Sequence, residues 1–211
     1  MSRLPAGFTA RPFAHRGLHD AAAGIPEDSR AAVKAAVAAG YGVEIDVQLS
    51  ADGEAMVFHD DRLERLTAET GPVSARRAAE LAAIRLEGSD ETVPTLAAAL
   101  ALLPPETPAL IEIKDQGGSF DTTGVGPLEE RIAALLDGAP ATRAVMSFNP
   151  DSIAAFARLA PSRPRGLVAG GRYHGVTPWR AARLAQAEAA EAVAASFVSF
   201  HHAALPSRRS R

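Results

Sequence analysis

This sequence predicts an α/β chain whose mainly parallel sheet curls into a barrel. Two observations carry the prediction. Short β-like runs alternate with longer helical runs along the 211 residues, the order that builds a parallel sheet covered by helices. Two of the apolar runs also carry charge only at alternate positions, Glu44 and Asp46 in one, Glu112 and Lys114 in the other. A period of two sends those side chains to one face. Beneath the helices of an open sheet, bare charge would be costly to bury. Inside a closed barrel, near its C-terminal mouth, the same charge can hold a metal and a substrate.

Strands are predicted at Arg11 to His15, Gly42 to Gln48, Ala55 to His59, Ala109 to Lys114, Arg143 to Phe148, Arg165 to Ala169 and Ser196 to Phe200. Each is rich in Val, Ile, Phe or Leu and is bounded by polar or glycine-containing turns. Helices are predicted at Ser29 to Ala39, Ala75 to Ile84, Thr95 to Leu103, Leu128 to Leu136, Pro150 to Leu159 and Thr177 to Ala194. Asp28 or Ser29 supplies a cap for the first helix, and Gly40 lies just past its end. Asn149-Pro150-Asp151 has the form of a helix start. The alanine-rich stretch Ala181 to Ala195 is helical in propensity. Ser50-Ala51-Asp52-Gly53 reads as a tight turn, so the strands it joins are antiparallel or linked without a helix. Asp115 to Gly126 is glycine-rich and polar, and reads as a mobile loop.

Length predicts one domain over residues 1–211. Residues 60–94 form a small insertion beside the mouth, and the basic tail 207–211 is expected to fray. A net charge of −3 and a pI of about 6.1 argue against a nucleic-acid binder. Without cysteine, neither disulfides nor thiolate metal sites are available. No run approaches the roughly 18 apolar residues that suggest a membrane span, and the N-terminus lacks the apolar segment of a signal peptide. A cytoplasmic location with no stable membrane insertion is the expectation. Lys34 and Lys114 are the only lysines among 22 basic residues. Lys114 therefore stands out as a place that wants a compact point charge rather than a guanidinium fork.

The candidate site residues sit at the ends of the apolar runs. Glu44, Asp46 and Glu112 form an oxygen-rich set suited to a hard divalent cation, Mg²⁺ or Ca²⁺; salt bridges to nearby arginines are the plain alternative. His15 and His59 each end a strand and can divide proton transfer between nucleophile and leaving oxygen. A hydrogen-bonded structural histidine is the alternative for each. Arg16 and Lys114 can clamp a phosphate or act as counter-ions to the carboxylates. Gly17 permits a turn. Glu27 and Asp28 open the first helix, where capping competes with a direct role. His19 is placed in a loop, Trp179 in core or rim packing, His201 and His202 as a solvated pair with lining of the mouth as the alternative, and Tyr173 and His174 in a loop that can reach substrate.

The runs His15-Arg16-Gly17, Pro26-Glu27-Asp28-Ser29, Val43 to Asp60 and Ile111 to Lys114 together resemble the glycerophosphodiester phosphodiesterases. Shorter likenesses accompany them at Leu63 to Val73 and Val93 to Leu96, and the resemblance runs in order over roughly residues 11 to 200. It implies a TIM (β/α)8 barrel with the site at the C-terminal ends of the strands. It implies that Glu44, Asp46 and Glu112 ligate metal, that His15 and His59 are general base and general acid, and that Arg16 and Lys114 hold the phosphodiester. The implied reaction converts deacylated phospholipids, such as glycerophosphocholine or glycerophosphoethanolamine, to sn-glycerol 3-phosphate and an alcohol.

Two departures from the family pattern matter. Asp28 stands where the family usually has Asn. An eighth strand is not found, so the expectation is a barrel lacking its final βα unit; such barrels typically take about 250 residues. Two other readings compete. One is a sphingomyelinase D-like phosphodiesterase, disfavoured by the lack of cysteine and leader. The other is an inactive barrel that only binds metal or a phosphate ester.

Overall fold

The computed structural model describes residues 4–170 and 176–202. Tyr173, His174 and the 207–211 tail lie outside them. Among the described residues the strands run as β1 (Phe13–Ala14), β2 (Gly42–Leu49), β3 (Ala55–Val57), β4 (Ala109–Ile113), β5 (Arg143–Ser147), β6 (Arg165–Ala169) and β7 (Phe197–Phe200). Helices are α1 (Gly7–Ala10), α2 (Arg30–Ala38), α3 (Ala78–Leu81), α4 (Leu96–Leu100), α5 (Pro127–Leu136), α6 (Pro150–Leu159) and α7 (Pro178–Ala185). The sheet order is β1-β2-β4-β5-β6-β7, all parallel, with β3 added antiparallel to β2. The β2–β3 connection is the tight turn expected at Ser50 to Gly53, closed by Gly53 N donating to Ser50 O at 3.1 Å.

The sheet curls. β1 and β7 are the two ends of the strand order and are not paired with each other, yet Phe13 and Phe200 line one cavity. This is the TIM-type barrel predicted from sequence, incomplete among the described residues. Alternation along the strands separates its two faces. Val43, Ile45 and Val47 of β2 and Ile111 and Ile113 of β4 join the core with Val33, Leu96, Leu128, Ile132, Ile153 and Phe156 from the helices. Glu44 and Asp46, with Leu110 and Glu112, turn the other way into the cavity.

The helix ends follow from their caps. Ser29 Oγ accepts from Ala32 N at 3.0 Å and starts α2. Gly40, at φ 75°, follows its last turn and donates to Val37 O. Asn149 Oδ1 accepts from Asp151 N at 2.9 Å and Pro150 takes the first turn of α6. At the N-terminal ends of the strands, two buried arginines satisfy loop carbonyls. Arg143 donates to Leu103 O and Pro104 O, and Arg165 donates to Val193 O and Pro161 O. These bonds seal the end opposite the site.

Of the two caps offered for α2, Ser29 is the one used, and Asp28 is buried beneath the site. Other expectations are corrected. α7 stops at Ala185, and the alanine-rich stretch continues as turns with Ala187 and Ala194 at φ 50°. Propensity without a continuous packing face does not hold a helix, and the turned chain buries Ala187 and Val193 instead. Residues 115–126 are tied down: Asn149 Nδ2 donates to Asp115 Oδ1 at 2.8 Å and to Asp121 O at 2.7 Å. Gly117 there approaches the Thr123 carbonyl so closely that a Cβ would lie 2.2 Å from its oxygen. Trp179, at 62% exposed, is not in the core; it lines an apolar cleft with Leu167 and Leu184, and Arg183 lies over its ring. Residues 60–94 hold a second apolar cluster, in which Leu63, Val73, Leu81, Leu86 and Val93 pack on Met56 and Phe58.

Candidate active site

The site is built on the parallel pair β2–β4. Asp46 and Glu112 are register partners across it, and Glu44 lies two residues earlier on the same face. One carboxylate oxygen from each of the three lies within 4.8 Å of the others. All three are buried. Burial, then Asp46 and Glu112, pushes the Glu44 carboxyl well above its ordinary range. Burial also raises Glu112, although Lys114 works against it.

Lys114 Nζ lies 2.7 Å from Asp46 Oδ1 and also hydrogen-bonds Glu112. The compact ammonium fits between two strands, as its rarity in this chain anticipated. Burial would lower its pKa, but the two carboxylates outweigh that and raise it.

Arg16 and Gly17 form the turn after β1. Both have positive φ, 58° and 73°. Gly17 is required: a Cβ there would sit 2.7 Å from the Ala32 backbone. The turn aims Arg16 N at Glu44 Oε2, 2.9 Å away, and Gly17 N at Glu44 O, 3.0 Å away. The Arg16 guanidinium reaches Glu27 Oε1 at 2.8 Å through Nη1 and lies 3.4 Å from Asp46 Oδ2 through Nε. Asp28, also at φ 58°, accepts from Asp46 N at 3.2 Å through Oδ1 and donates its own N–H to Arg16 O. Burial, then Asp46 and Glu44, drives the Asp28 carboxyl well upward.

The two histidines stand at the rim. His15 is mostly exposed, its Nε2 4.0 Å from Glu44 Oε2. His59 is half-buried, its Nδ1 2.5 Å from Asp60 Oδ1. Asp60 titrates at about 2: burial opposes ionisation, and the hydrogen bonds from Arg65 and His59 overcome it. An ionised Asp60 only accepts, so Nδ1 carries the proton and Nε2 remains for chemistry. Burial, then Lys114, lowers the His59 pKa. Burial, then Arg16, lowers that of His15. A glutamine pair fixes the backbone: Gln48 Nε2 donates to His59 O, while Gln116 Nε2 donates to Gln48 Oε1 and Lys114 O.

All seven residues expected from sequence line one cavity of about 350 Å³, together with Phe13, Phe148, Phe200 and His201. A second cavity of about 470 Å³ shares His59, Glu112 and Lys114 and extends past Asp60, Asp115 and Phe120. An apolar cleft between Trp179, Leu167 and Leu184 holds none of the site's charged residues. His201 lines the main cavity although it and His202 are exposed, and His19 does not line it. Asp60 and Arg65 have no part in the site as read from sequence, and Glu27 and Asp28 both stand between capping and a direct role. The only signal was their position inside the motif runs.

The glycerophosphoryl diester phosphodiesterase family model matches residues 15–207, from the first site histidine onward. The chain belongs to this family. A glycerophosphodiester phosphodiesterase from Bacillus altitudinis is 30% identical over 158 residues, covering 71% of this chain and 62% of the relative. One from Caldanaerobacter subterraneus subsp. tengcongensis is 30% identical over 164 residues, covering 74% and 65%. The matched part thus spans just under two thirds of these relatives' length. Among solved structures, a phosphodiesterase from Oleispira antarctica in complex with the product sn-glycerol-3-phosphate superposes with a TM-score of 0.72. It is 24% identical, and the match covers 93% of this chain and 78% of that one. The likeness extends the family assignment to the fold. No helix among the described residues is long and apolar enough to cross a membrane.

Proposed function

We propose that this chain hydrolyses glycerophosphodiesters to sn-glycerol 3-phosphate and an alcohol, using a divalent cation held by Glu44, Asp46 and Glu112. The observation that carries the reading is the meeting of these three buried carboxylates with two rim histidines and two cations in one cavity. The donor set fits the metal. It offers only hard oxygens, and Glu44 Oε1 and Asp46 Oδ2 are buried without a hydrogen bond. Buried polar atoms normally have partners; Asp46 Oδ2 has the Arg16 Nε charge at 3.4 Å, so Glu44 Oε1 is the place where a cation is most wanted. The family assignment and the glycerol phosphate held by the Oleispira relative support the substrate class.

When bound, the cation supplies Lewis-acid neutralisation of charge on the phosphoryl oxygens. The chain's own residues do the rest. Arg16 and Lys114 present positive charge where the anionic transition state develops. His59, its Nδ1 proton held by Asp60, exchanges a proton at Nε2 with either the attacking or the departing oxygen. His15, which lines the same cavity, takes the complementary transfer. Burial lowers the pKa of both imidazoles, which favours the neutral form that the base needs; the histidine that serves as acid must enter the step protonated.

The test is product formation from glycerophosphocholine and glycerophosphoethanolamine, read by an assay coupled to sn-glycerol 3-phosphate, with Mg²⁺, Ca²⁺ or EDTA. Lysophospholipid and sphingomyelin serve as comparison substrates. Cation-dependent sn-glycerol 3-phosphate is the expected result. Cleavage of the lipid substrates alone would overturn the substrate class, and no cleavage of any would overturn the enzyme reading.

A further inference from the structure

An unbroken run of charged contacts joins His59 to Arg16 through a residue that lines neither cavity. His59 Nδ1 meets Asp60 Oδ1 at 2.5 Å. Arg65 donates to Asp60 through Nε at 2.6 Å and Nη2 at 2.9 Å. The same guanidinium donates to Glu27 through Nη2 at 2.7 Å and Nη1 at 3.1 Å. Glu27 Oε1 then accepts from Arg16 Nη1 at 2.8 Å. Arg65 is not among the residues lining either cavity of the site.

We propose that Arg65 is a positioning residue, which sets the His59 imidazole and the Arg16 guanidinium in one register by clamping Asp60 to Glu27. Three observations lead there. Arg65 comes from the 60–94 segment, whereas Arg16 follows β1 and His59 follows β3, so it ties together groups from separate parts of the chain. The contact is forked on both carboxylates, a geometry that fixes orientation as well as charge and that lysine cannot reproduce. The carboxylates are the less exposed partners, Glu27 at 12% and Asp60 at 22% against 45% for Arg65, so the clamp orders groups that already face inward. An isolated exposed ion pair adds little to stability; a fork shared by the partners of two site residues has a positional consequence instead. Small misplacements of such groups cost large factors in rate.

The kinetic arm of the test rests on the hydrolase reading; the spectroscopic arm does not. In the full chain with its cation, Arg65→Ala should lower kcat/KM for glycerophosphocholine by about 10- to 100-fold, with kcat carrying the His59 part and KM the Arg16 part. Arg65→Lys should recover only part of it. Adding Asp60→Asn to Arg65→Ala should lower kcat by much less than Asp60→Asn does in the wild-type background, because both act through one imidazole. In proton NMR, the downfield Nδ1 proton of His59 should be present in the wild type and lost or displaced in Arg65→Ala. Should Arg65→Ala not fold, Arg65→Lys takes its place in each comparison. Rates within twofold of wild type, or full additivity with Asp60→Asn, would overturn the proposal. Should the wild type prove inert on every diester, the hydrolase reading fails, and an unchanged His59 Nδ1 signal in Arg65→Ala then overturns the clamp on its own.

Discussion

Lys114 and Asp46 meet across the β2–β4 pair, Nζ to Oδ1 at 2.7 Å, where the strand register alone would bring only carboxylates together. Asp46 faces Glu112, and Lys114 reaches back one pleat to touch both. Its ammonium partly neutralises a buried acidic set that is otherwise costly to hold in a folded chain.

Removing that ammonium leaves the carboxylates under-compensated. Lys114→Ala is expected to cost about 3–5 kcal/mol in EDTA, the range for breaking a buried ion pair. Added Ca²⁺ should recover part of the loss. Urea melts of wild type and variant, with and without cation, give both numbers.

His59→Ala is expected to lower kcat by about 10²- to 10⁴-fold, the usual contribution of a positioned acid or base, with KM little changed. Steady-state kinetics on glycerophosphocholine decide it, and an unchanged kcat would remove His59 from the mechanism.

Gly17→Ala forces a Cβ to within 2.7 Å of the Ala32 backbone at φ 73°. Alanine at a positive-φ glycine costs more than about 1 kcal/mol, and here α2 or the Arg16 turn must also shift. Both thermal midpoint and activity should fall, whereas Gly53→Ala, strained in φ but with open space around it, should lower the midpoint and spare the activity.

Glu27 and Asp60 are each held at about 2, against ordinary values of 4.5 and 3.8. Burial opposes ionisation in both, and Arg65 reverses it. Between the ordinary and the folded value the unfolded chain binds more protons, so stability rises with pH there. Their contribution is full above the ordinary values and is lost as pH falls towards about 2. Arg65→Ala should therefore narrow its stability deficit against wild type as the pH is lowered from 6 to 2. Denaturant melts across that range measure the difference; a deficit independent of pH would contradict it.

Much of this site was legible because alternation and strand ends are local signals. Glu44, Asp46 and Glu112 could be read as sharing a face from a period of two, and the histidines from their place after apolar runs. The chain could not announce which distant groups would meet. Arg65 looks like one more surface arginine until the 60–94 segment packs Leu63 and Val73 beside β3 and brings its fork to Asp60 and Glu27. Asp28 reads as a helix cap by its neighbours, yet the Arg16 turn draws it under Asp46. The alanine-rich stretch after α7 misled for the opposite reason: its local preference is strong, but the fold buries Ala187 and Val193 by turning the chain.

The most direct measurement is phosphorus NMR of glycerophosphocholine incubated with wild type and with Glu112→Gln, each in Ca²⁺, Mg²⁺ or EDTA. The diester signal is expected to give way to that of sn-glycerol 3-phosphate in the wild type with a cation, and to persist in EDTA and in Glu112→Gln. Equal conversion in EDTA, or conversion by Glu112→Gln at the wild-type rate, would contradict a cation held by these three carboxylates.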